Sequence, residues 1–98
     1  MSQFMVEFQL PYELDGEFMA KIPSQRQKIN EMMERGRISS YTLAADRSKL
    51  WCIIKAEDEI EVLTTISEFP LIDFMDHTIT ELMFTNTVAL RLPLFSLN

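Results

Sequence analysis

The sequence predicts an α+β domain in which a four-stranded antiparallel sheet carries two helices on one face. Three observations support this fold class. The first stretch alternates strictly between two sets of side chains, two later stretches repeat apolar residues at helical spacing, and the elements run strand, helix, strand, strand, helix, strand. A chain of 98 residues, 47% of them hydrophobic, fits one domain spanning residues 1–98.

The first strand is predicted from Gln3 to Leu10, because its side chains alternate between two faces until Pro11. One face carries only apolar residues, namely Phe4, Val6, Phe8 and Leu10. The first helix is predicted from Gly16 to Gly36, with Gly36 as its carboxyl-terminal stop. Pro23 interrupts this pattern, so we expect a kink there or a restart capped by Ser24.

The second half of the chain predicts a hairpin, a helix and a last strand. The hairpin joins Ile38–Leu43 to Leu50–Ala56 through a short polar turn. The second helix opens with the capping-box pair Asp58 and Glu61 and ends at Phe69, because Pro70 follows. The fourth strand spans His77–Phe84. This order matches the ferredoxin-like βαββαβ plait, which leaves one sheet face uncovered by helices.

The uncovered sheet face is the candidate site. Strand parity predicts that it carries Met5, Glu7, Gln9, Trp51, Ile53 and Lys55. A face that mixes apolar and polar side chains suits a lined cavity or a partner sheet better than an open monomer surface. We therefore interpret this face as a place for a small organic ligand or a second copy of the chain.

Glu7 is the candidate general base, since it is the only ionisable side chain on this face of the first strand. The alternative is an ordinary carboxylate at a wet surface, or one in an ion pair with Lys55. Tyr41 and Trp51 are candidate pocket-lining aromatics, although aromatics on strands are also common in cores and interfaces. Met5, Gln9 and Lys55 complete the predicted substrate-binding set.

Composition and charge exclude several functional classes. The formal charge of −6 opposes attraction to nucleic acid phosphates. Cys52 is the single cysteine, so no intrachain disulfide forms, and a reducing cytoplasm fits best. No segment approaches the length of an apolar membrane span, so no membrane association is expected. A metal site at His77, Asp73 and Asp76 lacks a third convincing ligand, and we predict none.

Short runs after the predicted second helix carry a family resemblance. They are Phe69-Pro-Leu71, Phe74-Met-Asp76, Ile79-Thr80 and Leu82, and Leu10-Pro11 at the end of the first strand agrees with them. The chain resembles the muconolactone delta-isomerase family over about residues 3–84. In that family these positions form a Leu/Phe-Pro-Leu turn, an aromatic-Met-Asp step and a last strand that ends in Thr-x-Leu.

The resemblance implies both an assembly and an activity. The assembly is a homodimer, or a larger homo-oligomer, built on a dimeric α+β barrel whose interior is the uncovered sheet face. The activity is a cofactor-independent proton shift in a small unsaturated lactone or carboxylic compound during aromatic catabolism. This chain departs from the family at Arg37–Leu43, where the isomerases carry a run rich in Trp, Arg and His. That departure leaves open a non-catalytic ligand-binding or assembly module.

The carboxyl-terminal residues are not placed by the plait. Residues 84–98 are rich in apolar side chains, although the predicted fold is already complete before them. Such side chains need a surface to cover. We therefore predict an apolar carboxyl-terminal extension that packs on a neighbouring subunit.

Overall fold

The computed structural model describes residues 1–88, and the predicted α+β fold is confirmed. The elements in chain order are β1 (Ser2–Gln9), α1 (Gly16–Glu34), β2 (Ile38–Leu43), β3 (Lys49–Ala56), α2 (Glu59–Ile66), a short 3₁₀ helix (Ile72–Phe74) and β4 (Asp76–Leu82). The strands form one sheet in the order β2-β3-β1-β4, and every neighbouring pair is antiparallel. This arrangement is the βαββαβ plait, with β1 and β3 at its centre.

The core lies between the sheet and the two helices. Phe4, Val6 and Phe8 on β1 are buried, whereas the residues between them are only partly buried. These three side chains form one cluster with residues of both helices, which include Phe18, Ile29 and Met32 of α1 and Val62 and Ile66 of α2. Full burial of an apolar side chain of this size contributes about 1.5–3 kcal/mol. The strict alternation of β1 therefore fixes which sheet face the helices cover.

Helix α1 runs without interruption across Pro23, so of the two expected alternatives, a kink or a restart at Ser24, the restart does not occur. Asp15 caps its start, where the carboxylate accepts a hydrogen bond from the amide of Phe18 at 2.8 Å. Pro23 is exposed, whereas Phe18 before it and Ile29 after it are buried in the same core. Packing on both sides of the proline thus outweighs the loss of one hydrogen bond within the helix.

Gly36 ends α1, as the sequence predicts. Its φ is +74°, its amide donates to the carbonyl of Met33 at 3.0 Å, and the next amide, of Arg37, donates to Met32 at 2.9 Å. These two bonds form a Schellman motif, which satisfies carbonyls that the helix leaves unpaired. The turn aims the chain into β2.

Helix α2 begins as predicted but ends earlier. The carboxylate of Asp58 accepts from the amide of Glu61 at 2.8 Å, which is the expected cap. The helix stops at Ile66 instead of Phe69, because the amides of Glu68 and Phe69 bond three residues back and tighten the chain into a turn. Phe69 is consequently buried in the core and packs against Phe8 with ring centroids 5.7 Å apart.

Strand β2 contains an irregularity that changes the direction of its side chains. Ile38 pairs with Ile54, but Ser40 pairs with Ile53, so two residues of β2 advance against one of β3. Such a β-bulge shifts the alternation by one residue. Beyond it, Tyr41 lies opposite the buried Cys52.

The substitution Gly36→Ala tests the left-handed turn after α1. We expect it to lower the free energy of unfolding by about 1 kcal/mol, because a Cβ at positive φ approaches the following carbonyl oxygen. Gly16→Ala is the matched control, since a Cβ there meets no atom within 4 Å and the position is helical. Urea denaturation followed by circular dichroism measures both variants, and equal losses would contradict the role of Gly36.

Candidate functional site

The strand register places five of the six predicted site residues on the uncovered face of the sheet. Met5, Glu7 and Gln9 lie opposite Ile53, Trp51 and Lys49 of β3. On their other side they lie opposite Thr80, Thr78 and Asp76 of β4. Lys55 shares this face but lies opposite Gln3, at the far end of the strand pair. Glu7 and Trp51 therefore sit together near the middle, and Lys55 is remote from them.

Glu7 is engaged by two neighbours. Its Oε1 accepts a hydrogen bond from the indole Nε1 of Trp51 at 2.9 Å, and its Oε2 lies 4.0 Å from Nζ of Lys49. The cation beside Glu7 is thus Lys49. Lys55 lies four residues further along β3 than Trp51, the residue that pairs with Glu7. The Glu7 side chain remains 33% exposed. The hydrogen bond from Trp51 therefore fixes the orientation of the carboxylate, while Oε2 can still accept a hydrogen bond from another molecule.

Tyr41 does not join these residues, which corrects its predicted placement. The bulge in β2 turns it to the helix-covered face, where its hydroxyl meets Gln25 of α1. Without the bulge, Tyr41 would lie opposite Trp51 on the uncovered face. Tyr41 therefore belongs to a different part of the molecule from Glu7.

A cleft of about 410 Å³ lies on the helix-covered side of the sheet, and we call it the helix-side cleft. Its walls are mostly apolar, and it falls within the size range of small-molecule sites. Its lining comprises Leu10, Leu14, Phe18, Met19, Ile22, Gln25, Arg26, Tyr41, Leu43, Arg47, Leu50, Leu71 and Met75. Sequence reasoning missed this cleft because its walls come from segments far apart in the chain.

Gln25 is the buried polar group of the cleft wall, with only 3% of its surface exposed. Its Oε1 accepts from the backbone amide of Leu71 at 3.1 Å, and its Nε2 donates to the hydroxyl of Tyr41 at 3.2 Å. Both ends of the amide are therefore satisfied, as a buried polar side chain requires. The helical spacing of apolar residues in the sequence of α1 gives no sign that this polar residue is buried.

Burial controls the two acidic groups on this side of the sheet. Cys52 is fully buried on β3, and this raises the pKa of its thiol to about 12. Burial also raises the pKa of the Tyr41 hydroxyl, and the hydrogen bond from Gln25 offsets part of that shift. Both groups stay protonated at neutral pH.

His77 and the carboxylates near it do not form a site with Glu7. His77 lies opposite Phe8 on the helix-covered side of β4, and the centroids of the two rings are 6.4 Å apart. The His77 side chain is exposed. Within residues 1–88, no group of three or more His, Cys, Asp or Glu side chains is arranged to hold a metal ion. None of the helices in these residues has both the length and the hydropathy of a membrane-spanning segment.

Comparison with known proteins gives one family. The family model described as muconolactone delta-isomerase matches residues 3–84. No curated protein matches the chain significantly.

Solved structures that share the fold include a muconolactone isomerase and a dehydrochlorinase. A crystal structure of muconolactone isomerase superposes with a TM-score of 0.66 at 14% identity and covers 91% of this chain and 96% of its own. A 5-chloro-2-hydroxyhydroquinone dehydrochlorinase from Burkholderia phenoliruptrix, in complex with 2,5-dihydroxybenzoquinone, gives a TM-score of 0.56 at 15% identity over 80% of this chain and 90% of its own.

Cys52 predicts a loss of stability at high pH. Its pKa is about 12 in the native protein and near its ordinary 9.0 when unfolded, so its contribution is complete below pH 9 and disappears as the pH rises towards 12. We expect the free energy of unfolding to fall across that window, with a shallower fall for Cys52→Ala.

The control for this measurement is Ile54→Val, which removes a methyl group from a buried neighbour on β3 and should lower stability by about 1 kcal/mol without changing the pH slope. Urea denaturation at intervals between pH 7 and pH 12 gives the slopes. An identical slope in the Cys52→Ala variant and the unchanged protein would contradict this account.

Proposed function

The chain belongs to the muconolactone delta-isomerase family, and we propose that it is a cofactor-independent isomerase that moves a proton in a small unsaturated lactone or carboxylic compound. The observation that carries this proposal is the family match over residues 3–84, which includes every described helix and nearly all of the sheet. A fold of this kind hosts many activities, so the reaction must be argued from side chains.

Glu7 is the proposed base. A proton shift of this kind breaks a C–H bond next to a conjugated carbonyl, holds the proton as a carboxylic acid, and returns it to a different carbon of the dienolate. The indole of Trp51 donates to Oε1 of Glu7 at 2.9 Å and so leaves Oε2 free to take the proton. Nζ of Lys49, 4.0 Å from Oε2, stabilises the negative charge that develops on the dienolate oxygen. Met5 and Gln9 flank Glu7 on the same face and are proposed to contact the substrate.

Glu7→Gln is the direct test. The glutamine keeps an oxygen that accepts from Trp51 but no longer takes up a proton, so turnover of an active lactone should fall at least about 100-fold. The assay follows the loss of ultraviolet absorbance with a panel of unsaturated lactones.

Glu81→Gln is the matched control, because Glu81 lies on the same sheet opposite the buried Phe4 and away from Glu7. It should retain full turnover. Equal activity of the Glu7→Gln variant and the unchanged protein would exclude Glu7 as the base, and no turnover of any lactone would count against the isomerase.

A specific observation favours a second candidate, a non-catalytic ligand-binding or assembly module. Glu7 already has a hydrogen bond and a nearby cation, which is also how a structural carboxylate is held. In addition, β2 presents Ser40 and Thr42 towards the uncovered face and no basic or aromatic group. Ligand binding without turnover in the lactone panel is the outcome that distinguishes this candidate.

The proposed assembly is a homodimer, or a larger homo-oligomer, in which a second copy covers the uncovered face. Met5 and Trp51 are partly exposed and provide apolar surface there, among polar neighbours, on a face that neither helix packs against. Residues 84–98 are proposed to reach the neighbouring subunit. Residues 89–98 lie outside the described residues, so this part of the proposal rests on their apolar composition.

Sedimentation velocity tests the assembly. Met5→Asp places a charge at the centre of the proposed interface, and we expect it to convert the oligomer to monomers. Ile60→Asp is the matched control, since Ile60 is 73% exposed on α2 and should leave the oligomer intact. Deletion of residues 86–98 examines the extension separately, and unchanged sedimentation of that variant would contradict its contact with a neighbour.

A further inference from the structure

The uncovered sheet face is electrically balanced, although the chain as a whole is acidic. The charged strand residues on this face are Glu7, Lys49, Lys55 and Asp76, two acids and two lysines. The whole chain, in contrast, has a formal charge of −6. Two balanced faces approach each other without the repulsion that two acidic surfaces experience. The charge of this face therefore suits contact with a second copy of the chain.

Two of these four charges are paired within the chain, and the other two are not. Oε2 of Glu7 lies 4.0 Å from Nζ of Lys49, so each of these charges has an opposite neighbour. Among residues 1–88, neither Lys55 nor Asp76 forms an ion pair, and both side chains are exposed. The face thus presents one cation and one anion that have no partner in the described part of the chain.

Lys55 and Asp76 are too far apart to pair with each other in one chain. Lys55 lies opposite Gln3 on one side of β1, and Asp76 lies opposite Gln9 on its other side. Gln9 follows Gln3 by six positions, which is about 20 Å along an antiparallel strand. An ion pair needs its nitrogen and oxygen within about 4 Å of each other. The two charges therefore lie diagonally across β1, at opposite ends of the face.

The midpoint of this diagonal falls on β1. Because β1 lies between β3 and β4, Lys55 and Asp76 are each one strand away from it. Along β1, the midpoint between their two rows lies between Met5 and Glu7. The partly exposed Met5 is therefore close to the centre of the face.

Two-fold symmetry makes the contacts of such a face reciprocal. When a residue of one copy meets a different residue of the other copy, the same contact occurs a second time with the roles exchanged. A two-fold axis over the midpoint, perpendicular to the line from Lys55 to Asp76, brings Lys55 of each copy onto Asp76 of the other. A copy that covers the face in a different orientation leaves both charges without partners, which is unfavourable at a contact.

We propose that a second copy covers the uncovered face in the orientation that pairs Lys55 of each copy with Asp76 of the other. This inference rests on the proposed assembly and specifies it, because it names the contacts that orient the partner. Exposed ion pairs add little stability, so these two contacts select the orientation and identity of the partner more than they strengthen the dimer.

Charge reversal in two separate chains tests this exchange. In a homodimer of the Lys55→Glu variant, each introduced carboxylate faces Asp76 of the other copy. In a homodimer of the Asp76→Lys variant, each introduced amine faces Lys55. Each homodimer should therefore dissociate at least about 10-fold more readily than the dimer of the unchanged protein.

A mixture of the two variants should behave in the opposite way. Both contacts of a mixed dimer join opposite charges, so equal amounts of Lys55→Glu and Asp76→Lys should form heterodimers preferentially. Native mass spectrometry, with one variant labelled with a heavy nitrogen isotope, counts the three kinds of dimer. Random assortment gives one half heterodimer, and we expect at least about nine tenths. A single chain with both substitutions should recover the homodimer to within about 3-fold of the unchanged protein.

The matched control is a mixture of Arg35→Glu with Glu81→Lys. Both residues are exposed, Arg35 follows α1, and Glu81 lies opposite the buried Phe4 on the helix-covered side of β4. These variants should assort randomly and dimerise as the unchanged protein does.

The possible failures are distinguishable. Random assortment of Lys55→Glu with Asp76→Lys, both homodimers being intact, would overturn the exchange and leave the proposed assembly standing. A mixture that stays monomeric would also overturn the exchange. If the unchanged protein is itself a monomer, the assembly and this inference are both rejected. The dimer counts do not depend on lactone turnover, so failure of the proposed isomerase activity is observed separately.

Discussion

The position of every candidate group depends on the burial of one face of β1. Phe4, Val6 and Phe8 pack against both helices, and β1 is bonded on both sides, to β3 and β4. Because side chains alternate along a strand, this burial forces Met5, Glu7 and Gln9 to the other face. A shift of one residue in the pairing of β1 with β3 or with β4 would place Glu7 in the apolar core. The free energy needed to bury an unpaired carboxylate excludes that register.

The sheet consequently separates two chemical environments. On one side, an indole donates to a carboxylate that is one-third exposed, beside a lysine. On the other side, a buried amide fixes a phenol at the wall of an apolar cleft with two arginines. The residues of β3 contribute to both, since Trp51 and the buried Cys52 are neighbours in sequence but face opposite ways. One strand therefore serves two surfaces that have no side chains in common.

Most of the fold followed from local patterns, and the failures have identifiable physical causes. The alternation of β1 predicted its buried face, and Asp58 and Gly36 predicted the start of α2 and the end of α1. Each of these features depends only on residues close in sequence. Tyr41 was placed on the wrong face because no residue near it signals the bulge, which arises from pairing with β3. The helix-side cleft could not be predicted, since distant segments form its walls and Gln25 carries no local sign of its partners.

The Gln25 amide joins three parts of the chain through side-chain hydrogen bonds. It bonds to the backbone at Leu71, which follows α2, and to Tyr41 on β2, while belonging to α1. If Tyr41 rotated away, the amide could follow it only by leaving the buried Leu71 amide without an acceptor, which costs about 1–3 kcal/mol. The same amide thereby fixes the position of Tyr41 relative to the connection that leads into β4. One amide thus ties an aromatic ring on one edge strand, β2, to the segment that leads into the opposite edge strand, β4.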